Sequence, residues 1–184
     1  MEEGAVKKTI RRLEISGAAF VIVTGTLLHF VYEWSGSNSF VGVFSPINES
    51  VWEHLKLAFF PILFFAFIEY FFLRTEVHNF WFAKAAECLL VMGIIVAFFY
   101  AYSGIIGKSI VVIDILSFFA AVIVGQVVSY RLLLKGTIKK RSAIVPAIVL
   151  LLIAASFIVC TFYPPHIPLF KDSQTITYGI YKTK

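Results

Sequence analysis

The chain has 184 residues, of which 59% are hydrophobic, 17% aromatic and 15% charged, and its mean hydropathy is +0.86. Soluble domains carry about a quarter of their residues as charges, so a soluble globular protein is excluded, and the length leaves room for one transmembrane domain, residues 1–184, without a sizeable soluble one. The net charge of +5 is no nucleic-acid signal, because lysine and arginine flank the apolar runs as membrane orientation requires and no basic stretch alternates with stacking aromatics.

A helix crosses the bilayer core with about 20 mainly apolar residues, and five runs qualify in chain order. The first, residues 13–34, follows Lys7, Lys8, Arg11 and Arg12. It is too long for a signal-peptide apolar region and ends in His29 and Glu33 rather than a small-residue cleavage site, so it reads as a retained span. The second covers about 51–73 and contains Pro61, which should kink it and open space below the charged residues at its start. The third covers about 85–102, the fourth 110–134 and the fifth 143–162, and a polar tail, 163–184, follows. The fold class expected is an all-α bundle of five transmembrane helices in a cell membrane, with the lipid bilayer as its partner. The prolines of PPHIP forbid helix and suit a strap across the bundle mouth.

Sorting the basic residues by side gives an orientation. With the N-terminus inside, eleven lie on the inner side, including Arg74, Lys84, Arg131, Lys135, Lys139, Lys140 and Arg141. Five lie outside: Lys56, Lys108, Lys171, Lys182 and Lys184. The bias predicts N-in, C-out. Trp34, Trp52 and Trp81 then fall at interfaces, as belt residues do. Cys88 and Cys160 lie at opposite depths, beyond disulfide reach. On the inner side, Glu69 is read either as a partner of Arg74 or Lys84 or as a proton-relay carboxylate, and Gln126, Tyr130 and Arg131 lie near the inner end of the fourth span.

This topology collects polar residues on the outer face: His29, Glu33, Asn48, Glu49, Glu53, His54, Lys56, Asp114, His166 and Asp172. His29 and Glu33 are four apart and share a helix face, as do Glu49, Glu53 and Lys56, spaced four and three apart. His54 points about 100° from Glu53, which makes a single metal taking both unfavourable. Histidine nitrogen with carboxylate oxygen suits zinc, iron or manganese, and His29, Glu33, Glu49, Glu53 and His166 form the expected ligand set for a divalent metal such as zinc. Against this stands a structural reading. Asn48 and Ser50 are natural N-caps, Glu49 suits a first turn, and Lys56 can pair with Glu53 or Glu49 and reach the interface. Ionisable groups at membrane depth are costly, which makes them functional candidates.

The stretch Asn48-Glu49-Ser50-Val51-Trp52-Glu53-His54-Leu55-Lys56, with Pro61 after it, resembles the signature of a family of small bacterial integral membrane proteins catalogued as a domain of unknown function. The ending Tyr163-Pro164-Pro165-His166-Ile167-Pro168-Leu169-Phe170, with Asp172 and Tyr178-Gly179, resembles the same family's C-terminal pattern. The resemblance spans the chain and implies a multi-span membrane protein of no known activity. Three functions stay open: binding of a metal ion or a lipid head group in the outer pocket, metal-dependent hydrolysis there, and a structural or accessory subunit whose polar cluster is only a plug.

Overall fold

The computed structural model describes residues 3–136 and 143–180. It consists of five long helices, α1 (Glu3–Trp34), α2 (Val51–Leu73), α3 (Phe80–Ile106), α4 (Val111–Gly136) and α5 (Ile144–Phe162), with single 3₁₀ turns at Val41–Val43 and Pro168–Phe170. All five helices are long and apolar enough to cross a membrane, as the five apolar runs predict. Lys139, Lys140, Arg141, Lys182 and Lys184, used in the charge bias, lie outside the described residues.

Helix α2 takes the expected bounds, but α1 begins ten residues before its apolar run and α3 is extended at both ends. In α1 the reason is that Glu, Lys and Arg are good helix formers, so backbone hydrogen bonding continues through charged turns. Hydropathy marks the part of a helix that lipid can surround rather than the helix itself. Ser50 caps α2, its hydroxyl accepting from the Glu53 N–H at 3.3 Å, and Gly107 ends α3 in the left-handed conformation, φ 81°, which glycine adopts without steric cost.

Helix α2 sits at the centre, packed by α1 and α3, with α4 against α1 and α3 and α5 against α3. Its residues Phe59, Phe60 and Ile62 are buried with Val91 of α3, Val122 of α4 and Phe157 of α5. The outward faces are apolar, as Phe67, Phe71, Val111, Leu151 and Leu152 show. In lipid, close packing rather than hydrophobicity holds helices together.

Pro61 acts through this packing. α2 continues as one helix from Val51 to Leu73, and the turn below its charged start is filled by the rings of Phe59, Phe60 and Phe157, with centroids 5.2–5.8 Å apart. Because proline has no N–H, the carbonyl four residues earlier, that of Leu57, loses its helical donor. A Cβ on Gly25 would lie 2.4 Å from this oxygen and 2.8 Å from the Phe118 ring. Gly25 thus lets α1 rest on the freed carbonyl, where a Cα–H is a weak donor. Gly25→Ala should cost about 1–3 kcal/mol by overpacking, measured by unfolding in detergent. Gly93→Ala, where an added methyl meets nothing within 4 Å, should show no such loss.

Candidate functional site

The polar residues gather at both ends of the bundle. One end, where α1 terminates and α2 begins, is covered by the C-terminal tail. The Asn48 amide donates to the Gly179 carbonyl at 3.0 Å and the Ser173 hydroxyl to that of Glu49 at 3.2 Å. The Trp52 ring packs at a tilt against those of Phe157 and Phe170, each at 4.8 Å. Asp172 shapes the tail by accepting from Gln174 N–H at 2.8 Å and the Thr175 hydroxyl at 2.8 Å. The tail is the strap its prolines predict.

At this end, His29 of α1, Glu49 of the approach to α2 and His54 of α2 converge. Glu49 Oε1 is 3.8 Å from His29 Nε2, and Oε2 is 3.4 Å from His54 Nε2. The two imidazoles lie 5.2 Å apart. All three side chains are half-buried, and one ligand atom from each falls within 4.8 Å of the others. His54 Nδ1 lies 2.8 Å from the Ser50 carbonyl. That oxygen can only accept, so Nδ1 carries the proton, and in a neutral ring Nε2 presents its lone pair to the carboxylate. Two electron-rich atoms at 3.4 Å need a positive charge, either a second ring proton or a cation between them. Hydrogen bonding with the His54 ring holds the Glu49 carboxyl below its usual range despite partial burial.

Of the five expected ligands, His29 and Glu49 join this group, whereas Glu33, Glu53 and His166 do not. The helical spacing argument fails because α2 starts at Val51 with Ser50 as its cap, leaving Glu49 outside the helix and free to swing toward His54. Glu53 turns inward: its Oε2 lies 2.6 Å from Lys56 Nζ and accepts from the Ile47 N–H at 3.1 Å. Lys56, fully buried, also donates to the Gly42 carbonyl at 2.8 Å and the Thr161 hydroxyl at 2.6 Å. Glu33 is exposed at the end of α1, and exposed His166 packs edge-on against Tyr178 at 4.6 Å. Asp114 accepts from the Tyr102 hydroxyl and reaches His54 only through its charge.

At the opposite end lies a group of which the sequence points only to Glu69 and its partner. Lys84 of α3 places Nζ 2.6 Å from Glu69 Oε2 of α2, 2.9 Å from Glu14 Oε1 of α1 and 3.0 Å from Glu87 Oε2 of α3. All four are buried. Ser129 of α4 donates to Glu14 Oε1 at 2.8 Å. Of the two partners expected for Glu69, Lys84 is the one it meets, and Arg74 is exposed. Glu14 and Glu87 had one available signal: each is a charge inside a long helix, and Lys84 and Glu87 are three apart on one face.

Five apolar helices with ionisable side chains gathered at each end fit a multi-span integral membrane protein. The chain belongs to a family of unknown function, DUF6512, whose model matches residues 2–180. No curated protein and no solved structure matches it.

Proposed function

We propose that the protein binds a divalent transition-metal ion, zinc being the best fit, through His29, Glu49 and His54 at its outer face. The observation that supports this reading most is the meeting of two histidine nitrogens and one carboxylate, with the His54 tautomer fixed by the Ser50 carbonyl. A bound zinc holds its ligand atoms roughly 3.3 Å apart, given bonds of about 2.0–2.1 Å. His54 and Glu49 Oε2 are at that spacing, His29 lies 3.8 Å from the other carboxylate oxygen, and the three ligand atoms, within 4.8 Å of one another, would draw together around the ion. Backbone orientation of a ligating imidazole is the usual outer-shell support. Charge bias supports N-in, C-out, which puts the site at the outer interface beside lipid head groups.

Two histidines and one glutamate are also the ligand set of hydrolytic zinc sites, in which a water holds the fourth position. The half-exposure of all three side chains favours this second reading, because it leaves a fourth position reachable. In that case the metal would generate the attacking hydroxide.

Zinc titration of the purified protein by calorimetry should give one site per chain, weakening as pH falls because protonated imidazole cannot ligate. His29→Ala and His54→Ala should each cost more than the roughly 10–100-fold that follows loss of an outer-shell partner. His166→Ala and Glu33→Gln should leave affinity unchanged. Absence of stoichiometric zinc, or equal affinity in His54→Ala, would reduce the cluster to a polar plug. Hydrolysis of lipid esters by the zinc-loaded protein would favour the second reading over simple binding.

A further inference from the structure

We propose that the buried group Glu14, Glu69, Glu87 and Lys84 is a proton-binding site, holding two exchangeable protons at neutral pH and exchanging them through a groove between α1 and α4. Three carboxylates share one ammonium, so full ionisation would leave two negative charges inside the bundle. Every member is at most 3% exposed. An uncompensated charge in such a place is far more costly than a neutral carboxyl.

The hydrogen-bond inventory points the same way. The ammonium has three N–H donors and three carboxylate oxygens around it. Ser129 supplies one more donor, to the Glu14 oxygen that already faces Lys84. Glu14 Oε2, Glu69 Oε1, Glu87 Oε1 and the Gln126 Oε1 of α4 are left buried and unpartnered. Gln126 itself is 5% exposed. Buried acceptors are normally paired, and what these four lack is hydrogen. A metal ion is a poorer answer, because Lys84 already occupies the centre. Among the described residues, only His29, Glu49 and His54 gather ligand atoms within 4.8 Å.

The charged and titratable groups around the site come from each packed helix. α1 brings Glu14 and, at the groove, Arg11; α2 brings Glu69; α3 brings Lys84, Glu87 and buried Cys88; α4 brings Tyr130 beside Gln126 and Ser129. Glu14 and Gln126 line a groove of about 230 Å³ whose other walls are mostly apolar, Ile15, Ala18, Ile123 and Val127, with Arg11 and Tyr130 as its further polar residues. Of the three glutamates, Glu14 alone lines this groove, which makes it the carboxyl best placed for proton exchange. Glu69 and Lys84 lie about one turn inside the ends of α2 and α3, so the path to water is short. The chemistry is proton binding alone: a carboxylate oxygen gains a proton, loses its charge and becomes a donor to a neighbouring unpartnered oxygen.

Infrared spectroscopy of the full chain in nanodiscs tests this, reading the carbonyl stretch of protonated carboxyl groups. At neutral pH the wild type should show this band, shifted in D₂O, and alkaline pH should bleach it. Glu14→Gln, Glu69→Gln and Glu87→Gln should each remove part of it, and Glu14→Gln should also slow its deuterium shift several-fold. Absence of the band in wild type at neutral pH overturns the proposal, whatever becomes of the variants. So does a band that survives unchanged in all three.

Discussion

Replacing Lys84 by methionine is expected to lower the stability of the bundle by about 3–5 kcal/mol, the cost of removing one partner from a buried ion pair. Its Nζ meets a carboxyl group from each of α1, α2 and α3 within 3.0 Å, so its loss leaves a buried acid cluster without its counter-ion. The opposite replacement should behave differently. Glu87→Gln keeps shape and hydrogen-bonding capacity while removing one of three acids that share a single ammonium, and should cost about 1 kcal/mol or less, the worth of one ordinary hydrogen bond. This asymmetry separates an over-acidic cluster from an ordinary salt bridge, in which either loss is severe. The measurement is denaturant unfolding in mixed micelles, read by labelling of Cys88, a thiol 1% exposed next to the cluster, in a Cys160→Ser background. Equal losses for Lys84→Met and Glu87→Gln would show that the site holds no more acid groups than its lysine needs. If Lys84→Met alone fails to fold, restoring it with Glu69→Gln gives the same comparison.

The sequence yields the bundle readily, because a lipid-crossing helix writes itself as an apolar run and five such runs are present. α2 illustrates this best: its bounds are those of its apolar run, and Ser50, one of the two caps the sequence offers, is the one used. The sites are harder to read, for two different reasons. At the tail end, periodicity assigns side chains to faces only where the backbone is helical. Glu49 lies one residue before the Ser50 cap, and that single displacement exchanges the roles of Glu49 and Glu53 and brings His54 back to the carboxylate. At the other end, span boundaries drawn by hydropathy placed Glu14 and Lys84 at the rim, where charges need no explanation. The helices in fact continue outward past both residues, and tertiary packing closes them in. The packing of Gly25 on the Leu57 carbonyl is of a third kind: Pro61 shows which carbonyl is freed, but only the assembled bundle shows what rests on it.

Lys56→Met carries the second large effect, again about 3–5 kcal/mol, and it also decides what Glu53 does. All three donors of the Lys56 ammonium are used, on Glu53 Oε2, the Gly42 carbonyl and the Thr161 hydroxyl. Thr161 in turn donates to the Phe157 carbonyl at 2.8 Å, so its oxygen is oriented to accept from lysine. One side chain thereby ties α2 to α5 and to the loop that carries Gly42. Without it Glu53 keeps only the Ile47 N–H at 3.1 Å for a charge that is 2% exposed. Adding Glu53→Gln should recover part of the loss, with a coupling of about 0.5–3 kcal/mol across the double-mutant cycle. Zinc affinity in that double variant should remain at the wild-type level, because Glu53 faces Lys56 while Glu49 alone faces the two imidazoles. A double variant that folds but no longer takes up zinc would move Glu53 from the structural network into the ligand set. A double variant that keeps both fold and zinc would assign the two glutamates of this helix start to separate tasks, Glu53 holding the helices together and Glu49 holding the ion.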